Sequence, residues 1–196
     1  HQGIFDLSYL SSIPNMTVLS PKHKWELADM LRFALDHDGP VAVRYPRGSA
    51  FDEYQKCREP VRFGKSESIF EERDIALFSV GHMFEVALKV RERLKAEGFG
   101  CSLVNARFIK PLDEECIRGL SKNHRLIAVI EENVASGACS QRVQECVSSG
   151  NLPVKVLSCA LPDQYVEHGS VDVLRKETGI DEESLTYRII ETYGEL

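Results

Sequence analysis

Two side chains in the first quarter of the chain have types and settings that could do chemistry. His1 opens the run His1-Gln2-Gly3-Ile4-Phe5-Asp6. An imidazole on such a glycine-adjacent loop can carry a proton near neutral pH. Arg47 sits in Arg44-Tyr45-Pro46-Arg47-Gly48, just past a short apolar run. Its planar fork of donors suits a phosphate or a carboxylate. Residue type alone does not decide either role. A lone loop histidine is more often a surface residue, and for Arg47 a phosphate ligand and a surface ion pair are evenly matched.

The elements that must position these groups can be read around them. Thr17-Val18-Leu19 is a short strand, and Ser20-Pro21 is a helix-start signal, with Ser as N-cap and Pro at the first helical position. The spacing predicts a helix from Pro21 to His37, with Leu27, Leu31 and Leu35 recurring every four residues on an apolar face. Gly39 and Pro40 stop it. Val41-Ala42-Val43 then reads as a buried strand, which Pro46 forbids from continuing. Arg47 therefore projects from the carboxyl end of a strand, where open α/β sheets place their ligands. Residues 51–73 lose periodicity and read as a linker whose far end, Val61 to Ile69, contributes an edge strand.

A second α/β rhythm starts at Ile75. Strands are expected at Ile75–Val80, Cys101–Val104, Leu126–Ile130 and Val154–Leu157. Helices are expected at Phe84–Glu97, Pro111–Leu120, Gly137–Val147 and Val171–Lys176, with a last one capped by Asp181. This alternation means α/β architecture with a mostly parallel sheet. Within it, Arg44 reads as a structural ion-pairing residue, and His82, following Gly81 at a strand end, occupies a possible ligand position. Glu131 and Glu132 are adjacent carboxylates that a strand sends to opposite faces, suited to helix-terminus or subunit contacts rather than paired acid chemistry. His168-Gly169 reads as a turn anchor.

Bulk properties narrow the class. The 196 residues allow one large domain or two small ones. A formal net charge of -6 gives no basic footprint, which argues against a nucleic-acid partner. No apolar run approaches the ~20 residues that span a bilayer, so no membrane partner is expected. The six cysteines form no C-x-x-C pair and sit mostly in apolar segments, the usage of buried thiols in a reducing compartment. The cytoplasm is the expected location. The chain begins at His1 without methionine and with no leader pattern, and reads as a fragment.

The blocks His1-Gln2-Gly3-Ile4-Phe5-Asp6, Ile13-Pro14-Asn15-Met16 and Arg44-Tyr45-Pro46-Arg47-Gly48 resemble the 1-deoxy-D-xylulose 5-phosphate synthases. So do Lys110-Pro111-Leu112-Asp113, Glu131-Glu132-Asn133, Leu161-Pro162-Asp163 and His168-Gly169, in the same order and spacing. These are transketolase-like, thiamine diphosphate-dependent transferases. The resemblance implies that residues 1–50 are the tail of a pyrimidine-binding domain, 51–73 a linker, and 74–196 a complete transketolase C-terminal domain. It implies a homodimeric parent that condenses pyruvate with glyceraldehyde 3-phosphate, releasing carbon dioxide, at the head of a route to isoprenoids, thiamine and pyridoxal. It implies that His1 lines the substrate pocket as a catalytic group and that Arg47 binds the aldehyde's phosphate. For His82 only this resemblance favours a structural role.

Thiamine diphosphate and Mg2+ are implied for the full-length parent. No G-D-G with a distant Asn is present to bind them, and the glutamate that activates the cofactor would precede His1. The chain alone is therefore expected to be inactive. The beta subunit of a 2-oxoacid dehydrogenase and a transketolase share the layout, but diverge at the H-Q-G-x-F-D and Y-P-R-G blocks. A non-catalytic dimerisation module is the reading from a different class.

Overall fold

In the computed structural model, which describes residues 3–196, the apolar runs form two sheets that share their packing. In chain order the elements are α1 (Asp6–Ser12), β1 (Thr17–Leu19), α2 (Lys24–Asp36), β2 (Val41–Val43), β3 (Glu67–Phe70), β4 (Asp74–Ser79), α3 (Phe84–Ala96) and β5 (Cys101–Asn105). Then follow β6 (Phe108–Lys110), α4 (Glu114–Leu120), β7 (His124–Val134), α5 (Cys139–Ser149), β8 (Lys155–Leu161), α6 (Val171–Glu177) and α7 (Glu182–Gly194). The fold class is α/β, as the alternation implies.

The larger sheet has the order β3-β5-β4-β7-β8. β4, β5, β7 and β8 run parallel, and only β3, at the edge, is antiparallel to its neighbour. β4 is apolar and buried almost throughout because both faces are covered. α3 and α7 pack on one face, and α1, α4 and α5 on the other. The expected stripes on α3 (Ala87, Val90, Leu94) and α7 (Leu185, Ile189) are fully buried, and Tyr193 packs against the same cluster. Helices change face between β4 and β7, so the carboxyl ends of these two strands flank the topological switch point.

The smaller sheet has the order β2-β1-β6. β1 pairs in parallel with β2, with Thr17 opposite Val41. Its other partner, β6, arrives antiparallel from the far part of the chain. Leu7 and Val18 share a buried cluster with Phe78, Val104 and Ile127, so the N-terminal unit and the larger sheet have one continuous core.

Two features of α2 differ from the sequence expectation. The helix starts at Lys24, not Pro21, and its cap is His23, whose Nδ1 accepts from the Glu26 N–H at 3.0 Å. Ser20 instead donates its hydroxyl to the Arg44 carbonyl. The leucine stripe is also not the buried one: Leu31 is 48% and Leu35 87% exposed, while Glu26 and Met30 point inward. A helix residue advances about 100° around the axis, so this face adjoins the leucine stripe. Lys22 and Arg107 draw Glu26 in, and no described element covers the leucines.

Stretch 51–73 is packed rather than free of the fold. Phe51 and Tyr54 lie against the larger core, and Glu67 is buried in an ion cluster with Lys22 and Arg107.

Candidate functional site

Arg44 follows β2 directly. Its main chain is held by the smaller sheet: its N–H donates to the Leu19 carbonyl at 2.8 Å, and its own carbonyl accepts from Ser20 Oγ at 2.9 Å. Its side chain crosses to the carboxyl ends of β4 and β7. Nη2 donates to the Glu132 carbonyl at 3.2 Å and lies 3.8 Å from the Glu132 carboxylate. Nη1 lies 3.3 Å from His82 Nδ1. A guanidinium can only donate, so that ring nitrogen accepts and the ring proton belongs on Nε2, facing Glu132.

Glu132 gathers the group. His82 Nε2 lies 3.0 Å from its carboxylate but out of line for a hydrogen bond. Arg175 of α6 reaches the same oxygen at 3.3 Å. Burial alone would raise this carboxyl. The adjacent His82 ring, then the Arg175 and Arg44 guanidiniums, outweigh burial and hold it at about 2. Its neighbour Glu131 faces the other way, as alternation along a strand requires. It accepts the Cys139 and Ser140 N–H groups at the start of α5, at 3.0 and 2.8 Å. Asn133 completes the block: its Oδ1 accepts the Leu7 N–H, and its Nδ2 donates to Ser8 Oγ, fastening α1 to β7.

Arg44, His82 and Glu132 line a cleft of about 680 Å³ between the two sheets. Arg47 lies in its wall on the β2 side, with Tyr45 and Pro46, and His168 and Arg175 lie on the α6 side. The lining carries charge of both signs, since Asp6, Glu85 and Glu167 also face it. His1 lies outside the described residues. Gly3, two residues on, is in the cleft wall, and its carbonyl lies 3.5 Å from Arg44 Nη2. Sequence reasoning singled out Arg47 but did not bring together His82, Glu132 and Arg175. The signal available was topological, because the first two follow the carboxyl ends that flank the switch point.

The six cysteines are free thiols. Four are buried, and burial pushes Cys101 and Cys159 up to about 12, which suits core packing rather than reactivity. Among the described residues no helix is long and apolar enough to cross a membrane.

Residues 64–185 match the family model of the transketolase C-terminal domain, and residues 1–51 match that of the transketolase pyrimidine binding domain. The chain belongs to the transketolase family. This transketolase-family chain is 42% identical over 195 residues to a 1-deoxy-D-xylulose-5-phosphate synthase of Lachnoclostridium phytofermentans, covering 99% of the chain and 31% of that protein. It is 39% identical over 197 residues to the synthase of Caldanaerobacter subterraneus, covering 100% of the chain and 32% of that protein. Against the 1-deoxy-D-xylulose-5-phosphate synthase 1 of Geobacter metallireducens it is 41% identical over 192 residues, covering 96% and 31%. The chain thus spans less than a third of the length of these relatives.

Among solved structures, a split gene transketolase described as an inactive beta4 tetramer superposes with a TM-score of 0.90 at 23% identity, covering 99% of this chain and 62% of that one. A transketolase from Campylobacter jejuni gives 0.73 at 18% identity, covering 94% and 27%. At these identities the likeness is one of fold.

Proposed function

We propose that this chain is the part of a 1-deoxy-D-xylulose 5-phosphate synthase that receives the phosphorylated substrate. The whole enzyme joins pyruvate to glyceraldehyde 3-phosphate with loss of carbon dioxide, as a cytoplasmic homodimer at the head of a route to isoprenoids, thiamine and pyridoxal. The observation that carries this reading is the placement of Arg47, within its R-Y-P-R-G block, in the wall of the cleft between the two sheets. Arg47 holds the aldehyde's phosphate through charge-assisted, fork-on-phosphate hydrogen bonds that give orientation as well as affinity. His1 exchanges a hydrogen bond or a proton with the reacting carbonyl and hydroxyl oxygens.

Thiamine diphosphate supplies the carbanion chemistry in such an enzyme. Among the described residues no group of three or more His, Cys, Asp or Glu side chains is placed to hold a metal ion. On the resemblance alone, the diphosphate and its Mg2+ are assigned to another portion of the parent enzyme, and no step is routed through them in this chain. One comparison favours a second reading for the chain in isolation. The split gene transketolase of the same fold is described as an inactive tetramer, which suits a portion that assembles without turning over.

The test uses the full-length enzyme, with kcat/KM measured for glyceraldehyde 3-phosphate and for unphosphorylated D-glyceraldehyde. A hydrogen-bonded charge contact contributes about 1.5–3 kcal/mol. Arg47→Ala is therefore expected to lower the preference for the phosphorylated aldehyde by roughly 10- to 150-fold. An unchanged preference would remove Arg47 from the phosphate site.

A further inference from the structure

We infer that Glu132, His82 and Arg175 are positioning residues for substrate phosphate, acting on Arg47 through a clamp on Arg44. The inference rests on the reading of Arg47 given above and extends it to residues at the switch point of the larger sheet. In an open α/β sheet the crevice outside the strand ends at that point is where a ligand sits. Here the group that enters it is the Arg44 guanidinium, delivered from the end of β2 in the other sheet. One sheet thus binds a side chain of the other in the place where it would otherwise bind a small molecule.

Arg44 is fixed at both ends. The smaller sheet holds its main chain through Leu19 and Ser20, and the larger holds its fork through His82 Nδ1 and the Glu132 main-chain carbonyl, with the Glu132 carboxylate supplying charge at 3.8 Å. Arg175 approaches Glu132 from α6, so the carboxylate is pinned from a third element. Only Tyr45 and Pro46 separate Arg44 from Arg47. Three residues span at most about 10 Å, and the proline ring locks one of the intervening torsions. A displacement of the Arg44 side chain is therefore passed along a short, stiff link. The same guanidinium meets the Gly3 carbonyl at 3.5 Å, so both segments that bear substrate groups approach one anchor.

Stability alone does not account for this arrangement. Taking charged groups out of water costs about as much as their mutual attraction returns, and a well-packed apolar cluster often serves stability as well. What a guanidinium fork and a carboxylate add is a defined geometry.

The clamp and a merely structural contact predict different results in the full-length, cofactor-loaded enzyme. Glu132→Gln keeps the shape of the side chain and removes its charge, while His82→Phe removes the acceptor on the other side of Arg44. Each is expected to lower the ratio of kcat/KM for glyceraldehyde 3-phosphate over that for D-glyceraldehyde at least tenfold. The dissociation constant for glycerol 3-phosphate, an unreactive phosphate probe, should rise by a similar factor in calorimetry. Glu132→Asp, which retains the charge, should recover part of both, and is the variant read if the amide does not fold.

If the variants lower both substrates' kcat/KM by the same factor, or leave glycerol 3-phosphate affinity unchanged while Arg47→Ala destroys it, the clamp is overturned and the role of Arg47 stands. If Arg47→Ala itself leaves the ratio unchanged, the reading of Arg47 falls, and this inference falls with it.

Discussion

Burial pushes the Glu131 carboxyl up from 4.5 to about 7, even though the Ser140 and Cys139 N–H groups donate to it, whereas partners on the opposite face of the same strand hold Glu132 at about 2. Such a raised group binds an extra proton in the folded state between its two pKa values. Its contribution to stability is therefore complete below about 4.5 and is lost as the pH rises through about 7. A rise of that size corresponds to roughly 3 kcal/mol. Glu132 has the opposite sign, with stability present above about 4.5 and lost toward about 2, so it leaves the higher window clear. Between pH 4.5 and 8, urea unfolding should show Glu131→Gln gaining on the unsubstituted protein by an amount of that order. A difference that stays flat with pH would mean that Glu131 titrates normally. The alternation of strand side chains made the divergence of this pair legible in the sequence. The direction of each shift was not, because it depends on Arg44, His82 and Arg175, which lie far off along the chain, and on how the nearby start of α5 folds back onto the strand.

At the scale of elements, the turn between β4 and α3 shows how closely the two sheets approach. Gly81 has φ +56 and lies against Ser20, where a Cβ would enter the van der Waals shell of Ser20 Oγ. Gly81→Ala therefore forces the turn away from β1, and with it His82. Overpacking of this kind costs about 1–3 kcal/mol, to which the left-handed backbone adds strain. The variant should melt several degrees lower by calorimetry, and an unchanged melting temperature would show that the turn has room. Helix periodicity was a good guide where the chain covers its own helix, as in α3 and α7. It misled for α2, where Leu31 and Leu35 form a regular stripe that the described residues leave exposed. β6 was not anticipated. A three-residue strand carries almost no pattern of its own, and its partner β1 lies about 90 positions earlier.

Across the whole molecule, the N-terminal unit and the larger sheet are joined by buried charge. Lys22, Glu26, Glu67 and Arg107 are all but inaccessible, with Arg107 Nε donating to Glu26 at 2.7 Å and Lys22 Nζ to the same oxygen at 3.0 Å. Burial opposes the charge on Glu26, but Lys22 and Arg107 prevail and hold its carboxyl below the usual range. Removing one member strands the others, so Arg107→Met should cost about 3–5 kcal/mol in denaturant unfolding, with loss of the Glu59 and Pro60 carbonyl contacts included. A loss below about 1 kcal/mol would place it among ordinary surface ion pairs. The same contrast governs what could be read of the candidate site. Arg47 could be singled out because its turn, its strand and its motif are contiguous. The His82, Glu132 and Arg175 group exists only once β4, β7 and α6 have been brought together.

The pairing of β1 with β6 also has a consequence in time. Arg107 is synthesised 81 residues after Glu26, and at roughly 5–20 residues per second a ribosome needs about 4–16 s to cover that stretch. Throughout the interval β1 lacks one neighbour and Glu26 lacks its arginine. An open strand edge is a template for other chains, so a period of exposure to misassociation falls during translation. Its length is set by the codons between the two strands.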